Sequence, residues 1–144
     1  MSGYVVDASV AVKWLVSEKF SAEAAALLDG RATLIAPDLL FAEATNALWA
    51  LSRRGDIRRE DFADAADALR AAPVAVPHPM RRLAASAARL AIDLGHPAYD
   101  CFYLAFAIQE QYPVVTADRR FHDVVRQHPY LADRVVHVES LRPR

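Results

Sequence analysis

Lysine is almost missing from this 144-residue chain: Lys13 and Lys19 are the only two, so nearly all its positive charge is arginine. Cysteine is rarer still. Cys101 stands alone, which excludes a disulfide framework and fits a reducing compartment. It falls within an apolar stretch, the setting of an inert buried thiol rather than a nucleophile. The net charge is only −1, so no global field draws the protein to nucleic acid. No apolar run reaches the ~18 residues of a membrane span, and no basic-then-apolar leader opens the chain. A soluble, cytoplasmic protein with no membrane association is the expectation. Histidines at paired metal-ligand spacing are lacking, which disfavours zinc. Repeats, low-complexity tracts and linkers are absent too, and the length suits one domain over residues 1–144.

What is present is 54% hydrophobic sequence, enough for a sizeable core, and arginine in pairs: 53–54, 58–59, 81–82 and 119–120. Short β-branched runs alternate with longer helical ones. Strands are expected at Tyr4–Val6, Thr33–Ala36, Val74–Val76 (between prolines), Val114–Thr116 and Val135–Val138. Helices are expected from Ser9, from Ser21 to the stop at Gly30, from the N-cap candidate Asp38 to Arg53, and from Arg59 to Ala71. Further helices are read over Met80–Leu94, from Ala98 to Ile108 and over Val124–His128. This alternation predicts an α/β fold with a parallel sheet covered by helices on both faces.

The chain is organised around residues 98–118. The helix from Ala98 is apolar on every side, the mark of a buried helix, yet it carries Asp100 near its start. A lone carboxylate there is costly to bury unmet. No Lys or Arg lies between Arg89 and Arg119, so its partner comes from elsewhere in the chain or from solution. Three further acids fall at equivalent places. Asp7 follows the first strand, Asp118 follows the strand after Pro113, and Glu43 borders the apolar stripe of Leu40, Ala44, Ala47 and Leu51 near the start of its helix. In open α/β sheets ligands bind at the carboxyl ends of the strands, where strand order reverses. Four acids from four distant segments can meet there. Each has a structural use as well: Asp7 and Asp118 as caps, Asp100 as a charge at a helix start, and Glu43 as a solvent-facing border residue.

Carboxylates gathered at one crevice repel unless a cation intervenes. Oxygen ligands without His or Cys select Mg²⁺ or Mn²⁺. The matching chemistry is metal-assisted hydrolysis of a phosphodiester, with ions ~3.5 to 4 Å apart if two are used. Ser9 and Thr116, two residues from Asp7 and Asp118, offer hydroxyls for water or phosphate. Arg119 and Arg120 are candidates for substrate phosphate, with an internal salt bridge as the alternative. His96, before Pro97, reads as a helix-opening residue rather than a base.

The stretches Val5-Val6-Asp7-Ala8-Ser9, Glu43 with Asn46-Ala47-Leu48, Tyr99-Asp100 through Tyr103-Leu104-Ala105, and Val115-Thr116-Ala117-Asp118-Arg119-Arg120-Phe121 resemble PIN-domain ribonucleases. The likeness is to the VapC toxins of type II toxin–antitoxin systems, and it covers essentially the whole chain. It implies a three-layer α/β/α domain with a five-stranded parallel sheet, Mg²⁺- or Mn²⁺-dependent cleavage of RNA, a homodimer, and neutralisation by a VapB-like antitoxin. By position, Asp7, Glu43, Asp100 and Asp118 match the family's acidic quartet, with Asp7, Asp100 and Asp118 as metal ligands. Thr116 matches its supporting hydroxyl, and Ser9 and Asn46 are further supporting polar groups. Cys101-Phe102 and Phe106 replace smaller residues common in that helix, and Arg58-Arg59 stand where a capping hydroxyl is frequent.

Rival acid-lined α/β domains fit less well. A receiver domain needs an acid pair near the first strand and a late lysine, and an aspartyl-nucleophile phosphatase needs Asp where this chain has Ser9. The non-enzymatic alternative is a catalytically silent PIN-like module that binds RNA or an antitoxin. Trp14 and Trp49 are candidates for partner or dimer contacts, with core packing the alternative for each.

Overall fold

Four short β-branched runs build the sheet: β1 (Gly3–Val6), β2 (Thr33–Ile35), β3 (Val114–Thr116) and β4 (Val135–His137). The computed structural model describes residues 2–142. The strands are ordered β2-β1-β3-β4, and every pair is parallel. Strand order therefore reverses between β1 and β3, and the crevice at that switch point lies past Val6 and Thr116. Val5, Val6, Val114 and Val115 are wholly buried, as strands covered on both faces must be.

The expected five-stranded sheet is corrected to four strands among the described residues. Val74–Val76 contributes a single bridge, Ala75 to Ile35, closed by Ala36 N–H to Ala75 C=O and Ala75 N–H to Leu34 C=O, both 3.0 Å. Pro73 and Pro77 bracket it, and without N–H groups they stop the ladder from lengthening.

Seven helices are described: α1 (Ala8–Leu15), α2 (Ser21–Ala25), α3 (Leu39–Arg53), α4 (Arg59–Arg70), α5 (Ala84–Leu94), α6 (Ala98–Glu110) and α7 (Arg119–Arg126). α6 is buried around its whole circumference through Cys101 and Tyr103–Ala107, as its sequence predicts. It packs beside α5 and against β1 and β3. α1, α3 and α4 enclose a second, smaller core of Val12, Ala44, Leu48, Ala65 and Leu69. No helix among the described residues is long and apolar enough to cross a membrane.

Several boundaries differ from expectation for local reasons. The last helix begins at Arg119, not Val124, because Asp118 caps it. Met80–Leu83 is a 3₁₀ turn before α5, and Ala26–Asp29 is another between α2 and Gly30. Asp38 precedes α3 but its side chain makes no capping bond. Arg58 opens α4 by forking onto Asp61, with nitrogen–oxygen distances of 3.0 and 3.2 Å, in place of a capping hydroxyl. Trp14 packs against the main core with its indole N–H on the Ala24 carbonyl at 2.8 Å, whereas Trp49 is 48% exposed beneath the Arg53 guanidinium.

α6 supplies a direct stability test. Leu104 is wholly buried and Ile108, one turn on, is 37% exposed. Leu104→Ala is expected to cost about 2–5 kcal/mol in urea denaturation, and Ile108→Ala less than about 1.5 kcal/mol. Equal costs would mean that α6 does not sit in the core as described.

Candidate active site

Asp7 is the residue the fold treats least kindly. β1 ends at Val6, the chain turns into α1, and the Asp7 carboxylate, only 3% exposed, is carried under the sheet edge. Its Oδ1 accepts from the Ser9 hydroxyl at 2.6 Å and from the Val10 backbone N–H at 3.2 Å, which makes it the cap of α1. No Lys or Arg among the described residues pairs with it. Burial pushes its pKa up from 3.8 to about 7; the Ser9 and Thr116 hydroxyls and the Val10 N–H offset this only in part, and the charge of Asp100 adds to it.

A chain of hydrogen bonds ties Asp7 to the far end of the sequence. Ser9 gives its one proton to Asp7, and its Oγ lies 3.4 Å from Thr116 Oγ1, whose hydroxyl is also aimed at the Asp7 carboxylate. Ser9 Oγ also accepts from Ala117 N–H at 2.9 Å, and Thr116 Oγ1 accepts from Asp118 N–H at 3.0 Å. Ser9 and Thr116 thus hold the β1 and β3 ends in register. Asp118 itself is exposed and caps α7, its Oδ1 accepting from Arg120 N–H and Phe121 N–H at 3.0 and 3.2 Å.

Asp100 sits in the first turn of α6, with its side chain 25% exposed. Its Oδ2 lies 2.6 Å from Nε2 of His96, whose own side chain is 3% exposed. Burial raises the Asp100 pKa, the hydrogen bond and charge of His96 oppose the rise, and Asp118 reinforces it. Glu43, half-buried on α3, is likewise raised by burial, eased by the Tyr103 hydroxyl and raised further by Asp100. That hydroxyl is buried with no hydrogen bond of ordinary geometry among the described residues. Burial and the charges of Glu43, Asp7 and Asp100 hold its pKa well above the usual tyrosine range. Asp100 therefore acts on Asp7 and Glu43 and is acted on by Asp118, so the four predicted acids are electrostatically linked through Asp100.

They form an open arrangement. Among the described residues no three His, Cys, Asp or Glu side chains are drawn into a ready-made metal cage. The donor set still fits a hard cation: oxygen-only ligands, one of them a deeply buried carboxylate that protein cations leave uncompensated.

The supporting residues divide. Ser9 and Thr116 lie inside the network, whereas Asn46 is exposed on α3. The Arg119 guanidinium is held by Glu139 at 2.5 Å, with His137 Nδ1 at 3.4 Å, while Arg120 is exposed and has no ion pair among the described residues. Two hollows open on this part of the surface, one bounded by Asp118 and the other by its neighbour Arg119. One, of about 350 Å³, runs from Ser9 and Asp118 to Lys13 and Arg54; the other, of about 450 Å³, is lined by Arg119, His122, Arg126 and His137. Sequence reasoning missed His96, Lys13 and Arg54 as neighbours of the site. The signal for His96 was there in its spacing, four residues ahead of Asp100.

The sequence model of the PIN domain family matches residues 4–127. Among solved structures, the fold is similar to PAE2754 from Pyrobaculum aerophilum, with a TM-score of 0.65, 21% identity, and coverage of 97% of this chain and 86% of that one. It is also similar to VapBC2 from Rickettsia felis, solved bound to a DNA fragment from its promoter, with a TM-score of 0.62, 14% identity, and coverage of 93% and 97%. No curated protein matches the chain.

Two predictions follow the electrostatics and the hydroxyl network. A carboxylate whose pKa rises from 3.8 to about 7 on folding stabilises the fold while protonated, and that contribution is lost as pH climbs through about 7. Chelator-treated protein is therefore expected to lose on the order of 2–3 kcal/mol between pH 5 and pH 8 through Asp7 alone, with Glu43 and Asp100 acting in the same direction. Asp7→Asn should flatten that slope and be the more stable protein at pH 8; denaturant titrations across pH check it, and an unchanged slope would refute it. Thr116→Val should cost about 1–3 kcal/mol by leaving the Asp118 N–H unmet. A double-mutant cycle with Ser9→Ala should show coupling of at least about 0.5 kcal/mol.

Proposed function

This chain belongs to the PIN-domain family, and from that premise we propose that it is a Mg²⁺- or Mn²⁺-dependent endoribonuclease, the toxin of a VapBC-type toxin–antitoxin module. One observation carries the reading: a carboxylate buried at the sheet's switch point, among three other acids, with no Lys or Arg paired to it. Such a group is stabilised by becoming neutral or by meeting a cation.

In this reading Asp7, Asp100 and Asp118 hold the metal. Bound there, Mg²⁺ or Mn²⁺ would supply an acidified water and offset charge on the phosphate. The protein's own groups do the rest. Ser9 and Thr116 fix the Asp7 carboxylate and the Asp118 backbone with respect to each other, and Glu43 stands beside Asp100 as a further acid able to hold or take a proton. Arg120, unencumbered, receives substrate phosphate, and Arg119 does so by exchanging Glu139 for it. Lys13 and Arg54 in one hollow, and Arg126 in the other, line a path for an RNA strand on either side of Asp118. Asn46 supports the rim from α3. The resemblance to VapC proteins, and the fold shared with a VapBC complex, support a VapB-like antitoxin as partner, a homodimer as the assembly and the cytoplasm as the setting.

The test is cleavage of structured RNAs with Mg²⁺, with Mn²⁺ and with EDTA. Metal should be required. Asp7→Asn and Asp100→Asn, folded by circular dichroism, should each lose on the order of 10²-fold or more in rate, the several kcal/mol expected of a metal-bound transition state. Arg120→Ala should weaken binding alone and lower the salt dependence by about one phosphate contact. Undiminished cutting in EDTA would overturn the proposal.

A further inference from the structure

His96 has no part in the acidic quartet, yet it is buried and held beside one of the four. Its backbone is set from both sides. α5 ends at Gly95 in the left-handed conformation (φ 60°), and His96 N–H returns to the Ala91 carbonyl at 3.2 Å, the helix-closing bond of a Schellman motif. Pro97 then keeps the His96 backbone out of the helical region and precedes α6 as its N-cap residue. The imidazole is closely confined: it is 3% exposed and stacked on Phe121 at 5.2 Å with an interplanar angle of 30°, and its Nδ1 has no hydrogen-bond partner among the described residues.

Those constraints aim one atom. Nε2 stands 2.6 Å from Asp100 Oδ2, and a carboxylate oxygen can only accept, so Nε2 carries the hydrogen whatever the ring's charge. That assignment holds for the ionised Asp100, the form that would face a cation; Oδ2 is then engaged and Oδ1 is the oxygen left for a ligand. The stacking partner matters equally. Phe121 is wholly buried, and its N–H is one of the two capped by Asp118 Oδ1. Through one ring pair, the carboxylate on α6 and the carboxylate that starts α7 are referenced to the same rigid body. Tuning of this kind, by a hydrogen bond to a ligating group, commonly governs metal affinity by 10–100-fold.

We propose that His96 is a positioning residue of the metal site: it locks the Asp100 carboxylate by donating from Nε2, and through Phe121 keeps Asp100 in register with Asp118. The inference rests on the nuclease reading above and adds to it a residue that supplies no metal ligand.

The experiment compares wild type, His96→Leu and His96→Gln. Leucine fills the cavity without a donor, and glutamine restores an N–H donor near the Nε2 position. Calorimetric Mn²⁺ titration is the first readout and RNA cleavage the second. His96→Leu should bind Mn²⁺ about 10–100-fold more weakly, His96→Gln should recover most of that loss, and both should stay folded by circular dichroism. In wild type, ¹⁵N-histidine NMR should show a protonated, exchange-protected Nε2 on His96 with and without Mg²⁺, a reading that stands even if both variants misfold. If wild type binds Mn²⁺ and cuts RNA while His96→Leu binds Mn²⁺ as tightly, or if Nε2 is bare, the positioning role falls and the nuclease stands. If wild type neither binds Mn²⁺ nor cuts RNA, both fall.

Discussion

The structure turns on a carboxylate that its surroundings do not neutralise. Asp7 must lie where it does, because the chain leaves β1 at the switch point and turns at once into α1, whose first turn it caps. Neutral donors surround it: a hydroxyl and a backbone N–H. These orient an anion without cancelling its charge. Every neighbouring feature then reads as a response to that imbalance. Thr116 and Ser9 spend their hydroxyl protons on the network, and Asp7, Glu43 and Asp100 are each displaced toward the protonated form.

Binding and stability are opposed at such a place. A core built only for folding would bury leucine or valine at residue 7, as it does at Val6 and Val10. Keeping an acid there weakens the empty protein at neutral pH and strengthens any complex in which positive charge arrives. The rest of the fold is conventional enough to bear this: α6 is buried on all sides, the sheet is covered on both faces, and a second core lies under α4.

The α/β class and the positions of the acids along it were legible in the sequence, and the strand count and helix boundaries less so. Asp7, Asp100 and Asp118 were conspicuous because each stands beside a run too apolar to ignore, and their convergence followed from the strand order rule for parallel sheets. Glu43 was legible only as the edge of a stripe. The weaker strand at Val74–Val76 was overread, since β-branched residues gave the signal while the flanking prolines governed the outcome. α7 was placed too late because the capping power of Asp118 was weighed as an alternative to its site role, and the structure uses it for both. His96 was read only as a helix-opening residue, and its reach from that loop to Asp100, four residues on, became visible in the structure.

The two halves of the hydroxyl network are more than a hundred residues apart, with Ser9 near the beginning and Thr116 near the end. Nothing local in the first segment can assemble the crevice by itself. While the ribosome is still making the chain, the early strands can pair and the early helices can pack, but the Ser9 oxygen has no threonine beside it until the Val114 run has emerged. If the chain cuts RNA as proposed, it would be born inert beside the ribosome's own RNA. It would become competent only once the late strand slots in next to the first.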